Sequence, residues 1–279
     1  MPLPMPMPIL DHVVVNARDK LDAALACYQR LGFLLTPRGY HTLGSMNHLA
    51  IFGTEYLELI GIGPNATRAD LLRFPAGLDG LVFGTDDSRA VYEALAAAGV
   101  PVGEPNEFSR PVALPSGTEN AAFRTVRLEP EAVDYGRLYF CHHLTRHLVW
   151  RDEWRRHPNG TIGVVRAVIC AADPAGAATL YRTMFGPDAV RTTPDGASIM
   201  IGLSRFDILT PRALAATYGD AAPDPQGRGA YMAGLTLRTA DLARTTAVLR
   251  SAGVRCAETD GCVRVPAAEA FGATLEFVA

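Results

Sequence analysis

Histidine titrates near neutrality and is a frequent ligand of transition metals. All seven histidines of this 279-residue chain, His12, His41, His48, His142, His143, His147 and His157, lie within its first 157 residues. The N-terminal part is therefore the expected chemical half. His12 stands inside the run LDHVVV, where strict alternation places it with Val14 and Asn16 on one face and Asp11, Val13 and Val15 on the other. On periodicity alone a satisfied core histidine is the better reading. Glu58, in YLELI, shares a strand face with Tyr56 and Ile60. An ionised carboxylate facing an apolar interior is costly unless a cation or hydrogen-bond donors meet it, whereas on an edge strand it would be solvated. Between Gly39 and His48, the side chains of His41, Thr42, Ser45, Asn47 and His48 offer donors and acceptors over a short span. A wall that orients a substrate has this composition, and so has a hairpin surface. Cys141 precedes His142 and His143 in LYFCHH, while the other four cysteines read as small buried hydrophobes without C-x-x-C spacing. His142 and His147 read as exposed strand-end and linker residues, and His157, before Pro158, as part of a turn. Trp150 and Trp154 could lid a cavity or pack one domain on the other, and packing is the better reading.

A net charge of -3, 48% hydrophobic and 20% charged residues and a pI near 6.2 describe a globular chain without an electrostatic footprint for nucleic acid. The opening MPLPMPMPIL has neither a basic n-region nor an apolar run of membrane length, so the expectation is a cytoplasmic protein with no membrane partner. Lys20 is the only lysine, in a helix-like polar setting, which argues against Schiff-base chemistry.

The elements that must position these side chains repeat. Asp11 to Phe33 reads as an apolar strand, an acidic turn and an apolar-periodic helix ended by Gly32. The pattern recurs at Gly80 to Val100, Arg166 to Gly186 and Gly234 to Val254, aligned on Asp19, Asp87, Asp173 and Asp241. Short alternating stretches follow each helix, so each module is a strand, a helix and about three strands. One module cannot bury both faces of its sheet, and the modules must pair. The predicted divisions are an N-terminal domain over 1–145, a linker over 146–160 with Pro-Asn-Gly at its end, and a C-terminal domain over 161–279.

This arrangement resembles the vicinal-oxygen-chelate superfamily, and within it the glyoxalase-like domain proteins. The resemblance rests on LDHVVVNARD, GYHTLGSMN, YLELIG, LYFCHH, LVWRDEW and HPNG. It implies an α+β fold of four βαβββ modules paired into two incomplete barrels, each with a concave face for a metal or small ligand. It also turns His12 and Glu58 into expected metal ligands from the first and last strands of the first module. The matching first-strand position of the second module is Gly80, and its last strand has no glutamate. His143 or Cys141 is the replacement candidate, with His41 and His48 as another, and His12, Glu58 and His143 would make a two-histidine, one-carboxylate set for Zn, Mn, Fe or Ni. Asp79 is expected on the opposite face. Arg166, Asp207, Gly234 and Glu276 occupy the corresponding positions of the C-terminal half, where an ion pair through Arg166 or a surface arginine is expected and no metal.

The function implied is a divalent-metal-dependent lyase or isomerase acting on a small oxygen-bearing substrate in the N-terminal cavity. Glu58 or His41 would carry the proton, with Ser45, Asn47, His48 and Cys141 contacting the substrate. A metal-free small-molecule binding or resistance protein and an extradiol-type dioxygenase remain as alternatives, and a homodimer is a further expectation.

Overall fold

A computed structural model describes residues 3–63, 68–259 and 261–279. In the first half the strands are β1 (Ile9–Arg18), β2 (Gly39–Tyr40), β3 (Ser45–Ile51), β4 (Tyr56–Ile62), β5 (Gly77–Gly84), β6 (Asn106–Leu114), β7 (Gly117–Arg127) and β8 (Arg137–His143). They are joined through helices α1 (Leu21–Arg30), α2 (Ala69–Leu72) and α3 (Ser88–Ala97). The second half repeats the plan with β9 (Thr161–Ala171), β10 (Val190–Thr193), β11 (Gly196–Ile201), β12 (Ser204–Leu209), β13 (Ala230–Thr239), β14 (Ala257–Thr259), β15 (Cys262–Val265) and β16 (Thr274–Val278). Its helices are α4 (Pro174–Phe185), α5 (Pro211–Tyr218) and α6 (Leu242–Ser251).

Each half is one eight-stranded sheet, ordered β2-β3-β4-β1-β5-β8-β7-β6 and β10-β11-β12-β9-β13-β16-β15-β14. Both sheets have paired modules meeting at an antiparallel seam, β1 with β5 and β9 with β13. This is the α+β architecture of two incomplete barrels. Val13, Val15 and Ala17 of β1 pack with Ala24 and Tyr28 of α1 in a core cluster that also takes in Phe206 and Phe277 of the second half. Three of the four recurring aspartates are helix caps: Asp87, Asp173 and Asp241 each accept a backbone N–H of the first turn at 3.0 Å. Asp19 does not cap α1, where Lys20 stands at the cap with no side-chain bond. Among the described residues no helix is long and apolar enough to cross a membrane.

The seams carry the feature that positions the site. Leu10 and His12 pair with Phe83 and Val82, leaving Asp11 as an extra residue, and Val14 and Val15 pair with Gly80 and Leu78, leaving Asp79 extra. Such β-bulges break alternation and re-aim side chains. Asp11 and His12, adjacent in sequence and expected on opposite faces, are consequently hydrogen-bonded at 2.6 Å. The expectation that Asp79 simply faces away is corrected in the same manner: it accepts bonds from Asn16 at 2.9 Å and Arg137 at 2.7 Å. The second seam is bulged at the equivalent places, but there the extra residues are Val165 and Ala233.

Candidate functional site

Strand register defines four corresponding inward positions in each half. Val14 lies opposite Glu58 and Val82 opposite Tyr139, so Tyr139 is the second-module counterpart of Glu58. In the C-terminal half Val168 lies opposite Asp207 and Thr236 opposite Glu276. The N-terminal quartet is thus His12, Glu58, Gly80 and Tyr139, and the C-terminal one Arg166, Asp207, Gly234 and Glu276.

In the N-terminal cup the His12 ring stacks on Tyr56, with centroids 4.3 Å apart. Its Nδ1 donates to Asp11, which leaves Nε2 to accept from the Tyr139 hydroxyl at 3.1 Å and to face Glu58 Oε2 at 3.8 Å. Burial opposes ionisation of Asp11, but the His143 and His12 imidazoles outweigh it and hold the carboxyl well below its usual range. Burial likewise opposes ionisation of Glu58, and His12 with the Asn47 amide turns the balance toward the carboxylate. The Tyr139 phenol is pushed well up by burial and by Glu58, so it keeps its proton and stays a donor.

The wall beside Glu58 is a relay. Asn47 Nδ2 donates to Glu58 Oε1 at 2.7 Å and to His41 Nε2 at 3.3 Å, while His41 Nδ1 donates to Ser45 Oγ at 2.9 Å. Arg68 donates to the same hydroxyl at 2.9 Å. Burial lowers His41 to about 4 despite Glu58, so the ring is neutral at pH 7 and both its nitrogens are engaged. It orients Asn47 rather than offering a free nitrogen. The cavity is narrow, with about 30 Å³ open to a water-sized sphere, and Phe108 and Phe123 stack on one side at 5.1 Å.

His12, Glu58, His41, Ser45, Asn47 and Cys141 all line this cavity. His143 does not join them as a third ligand: it lies beyond Asp11, bonded to Asp11 Oδ2 through Nε2 at 2.9 Å, and lines a neighbouring cavity that Cys141 also borders. His48 is turned to the opposite face of β3, bonding Thr36 O at 2.8 Å and accepting from Arg38 at 3.4 Å, so the substrate contact expected of it is corrected. His157 is a buried joint rather than only a turn residue, accepting from Leu34 N at 3.0 Å and donating to Ile51 O at 2.9 Å. Trp150 packs edge-on against Tyr56 and His143.

Asp11 and Tyr139 are the residues that sequence reasoning missed. Leu-Asp precedes both His12 and Gly80 but neither Arg166 nor Gly234, a signal for Asp11 in the repeat itself. Tyr139 carries no such mark, because unequal loops destroy constant spacing and only register identifies it.

The four-donor metal set implied by the resemblance does not fit this quartet. Gly80 offers no donor, and a Cβ there would come within 2.7 Å of Val14 Cβ. Tyr139 retains its proton, which leaves His12 and Glu58 as the two strong donors. A separate group, Asp11, Cys141 and His143, brings three ligand-type atoms within 4.8 Å of one another. Burial depresses His143, but the Cys141 sulfur and the Asp11 carboxylate overcome this and raise it to about 10, while burial raises the Cys141 thiol. An ion there would have to displace both protons.

Residues 10–185 match the family model of the glyoxalase-like domain. No curated protein matches the sequence. Among solved structures, a hypothetical protein from Staphylococcus aureus superposes with a TM-score of 0.69 at 13% identity, covering 97% of this chain and 99% of that one. A 4-hydroxymandelate synthase mutant from Streptomyces coelicolor gives 0.59 at 14% identity, covering 97% and 92%. A fusion of a xylose isomerase-like TIM barrel with 4-hydroxyphenylpyruvate dioxygenase gives 0.58 at 16% identity, covering 98% of this chain and 50% of that one. At these identities the likenesses establish the shared fold.

Proposed function

The chain belongs to the glyoxalase-like domain family, and on that premise we propose that its N-terminal cup is the acid–base site of an isomerase- or lyase-type enzyme acting on a small oxygen-bearing molecule. The observation that carries this reading is the opposition of Glu58 Oε2 to the Asp11-oriented His12, 3.8 Å apart on the buried floor of one cavity. Glu58 Oε1 is fixed by Asn47, and Oε2 has no hydrogen bond among the described residues. That oxygen is placed to take a proton from a carbon next to a carbonyl. Tyr139, kept neutral, can turn its O–H from His12 Nε2 toward developing negative charge on the substrate. His41 is a positioning residue that sets Asn47 and thereby Glu58.

The test is exchange of solvent deuterium into small aldehydes, ketones and 2-oxo acids, followed by proton NMR. The wild type is expected to label at least one compound, and Glu58→Gln to slow that labelling by about 10²–10⁴, the usual range for loss of a general base. Equal labelling by both proteins, or none by the wild type, overturns the reading.

A second reading is supported by the spacing of Asp11, Cys141 and His143, which suits a divalent ion at the border of the two cavities. Stoichiometric metal in purified protein, lost in Cys141→Ala, supports it; metal-free active protein removes it.

A further inference from the structure

We infer that the N-terminal cup recognises its ligand through a carboxylate, held by Arg110 and Arg127 beside an apolar wall, so that the substrate is a small aromatic or aliphatic carboxylic acid. The inference rests on the proposed catalytic cup and names its substrate class.

Arg110 lines the same cavity as Glu58 and is 6% exposed, yet its side chain makes no ion pair or hydrogen bond among the described residues, and its buried Nε is without a partner. Arg127 lines the cavity too, with its guanidinium over the Tyr139 ring at 4.4 Å and no carboxylate in contact among the described residues. A buried guanidinium without a counter-ion is costly, and proteins keep such groups paired unless a ligand completes them. The neighbouring cations contrast with them: Arg68 is bonded to Asp70 at 2.7 Å and Arg137 to Asp79 at 2.7 Å. Glu58, already held by Asn47, is the acid near Arg110, while Arg127 shares Asp70 with Arg68 and Arg137, so four arginines stand against Glu58, Asp70 and Asp79. The surplus is about one positive charge, which suits a monoanion better than a phosphate dianion.

Local geometry keeps room for this arrangement. A side chain at Gly39 would overlap Asn47 Oδ1 and approach the Arg110 side chain within 2.8 Å. The buried Asn47 Oδ1 also lacks a partner. Planar guanidinium groups match carboxylate oxygens in a fork geometry, and Arg is favoured for this over Lys. The stacked Phe108 and Phe123, with Leu49 and Ile60 in the same lining, offer an apolar surface to the rest of the molecule.

Binding, read by calorimetry and thermal shift, tests this without requiring turnover, so failure of the proton-transfer reading leaves the result interpretable. The probes are benzoate against benzamide, hexanoate against hexanamide, and inorganic phosphate. The acids are expected to bind and the amides not, with Arg110→Met weakening the acids about 10- to 100-fold and Arg127→Met by less. Because Arg110→Met removes an uncompensated buried charge, its unfolding temperature without ligand should equal or exceed that of the wild type, which separates lost recognition from lost folding. Acids and amides binding alike, acids bound equally by Arg110→Met, phosphate displacing the acids, or no acid binding would each overturn the assignment.

Discussion

The two halves place four residues, one of them a glycine, at corresponding points of two like sheets, and the outcomes are opposite. In the C-terminal cup Arg166 Nε bonds Asp207 at 2.6 Å and its Nη1 lies 3.6 Å from Glu276, so a guanidinium bridges the two acids. Arg205 and Arg264 complete the neutralisation, and Thr236 donates to Glu276 at 3.0 Å. Ala213, Leu214 and Tyr218 of α5 pack over Val168 and Cys170, filling the concave face. The N-terminal cup keeps Glu58 ionised beside an oriented imidazole and leaves Arg110 and Arg127 with no carboxylate in contact among the described residues. The difference lies in satisfaction: the acids of one quartet are closed upon arginines, whereas the other cup retains buried polar atoms without a partner among the described residues.

Reversing this contrast should have graded effects. The largest is catalytic, where Asp207→Asn is expected to leave deuterium labelling within twofold of wild type while Glu58→Gln abolishes most of it; comparable losses would mean that the cups are not divided in role. Next is stability. Arg166→Met leaves Asp207 and Glu276 each with one remaining arginine, so the cost in urea unfolding should be about 3 kcal/mol, the low end for breaking a buried pair. A neutral result would show that Arg205 and Arg264 suffice.

One part of the pH dependence of stability should come from the N-terminal cup. His41 is depressed from 6.5 to about 4 in the fold, chiefly by burial. Its contribution is therefore fully present above pH 6.5 and is lost as pH falls toward 4, because the unfolded chain binds the proton first. The loss should be no more than about 3 kcal/mol and should shrink in His41→Gln, as read by urea unfolding at the two pH values. The smallest effect is expected from His48→Ala, which removes a ring on the convex side: turnover and ligand binding should be unchanged, and a tenfold loss would place His48 in the cup after all.

Much of this contrast is legible along the chain. The histidine bias, the repeat of strand and helix, and the replacement of His12 by Arg166 follow from residue order, and strand alternation puts Glu58 with Tyr56 and Ile60 on one face. Alternation fails at Asp11 and Asp79 because a bulge adds one residue to one strand only, which a period of two cannot express. It fails differently at His143, where counting along β8 gives a face but no distance from Glu58.

By itself the sequence determined the modules, the acidic turn before each helix, and the half in which the histidines gather, since these depend on local periodicity and composition. The tertiary structure decided that Tyr139 stands where Glu58 has its counterpart, that Val14 fills the space beside Gly80, and that Arg110 and Arg127 enter one cavity with no carboxylate in contact among the described residues. Those relations join strands far apart in sequence through ladder register and close packing, and a single chain read in order contains no measure of either.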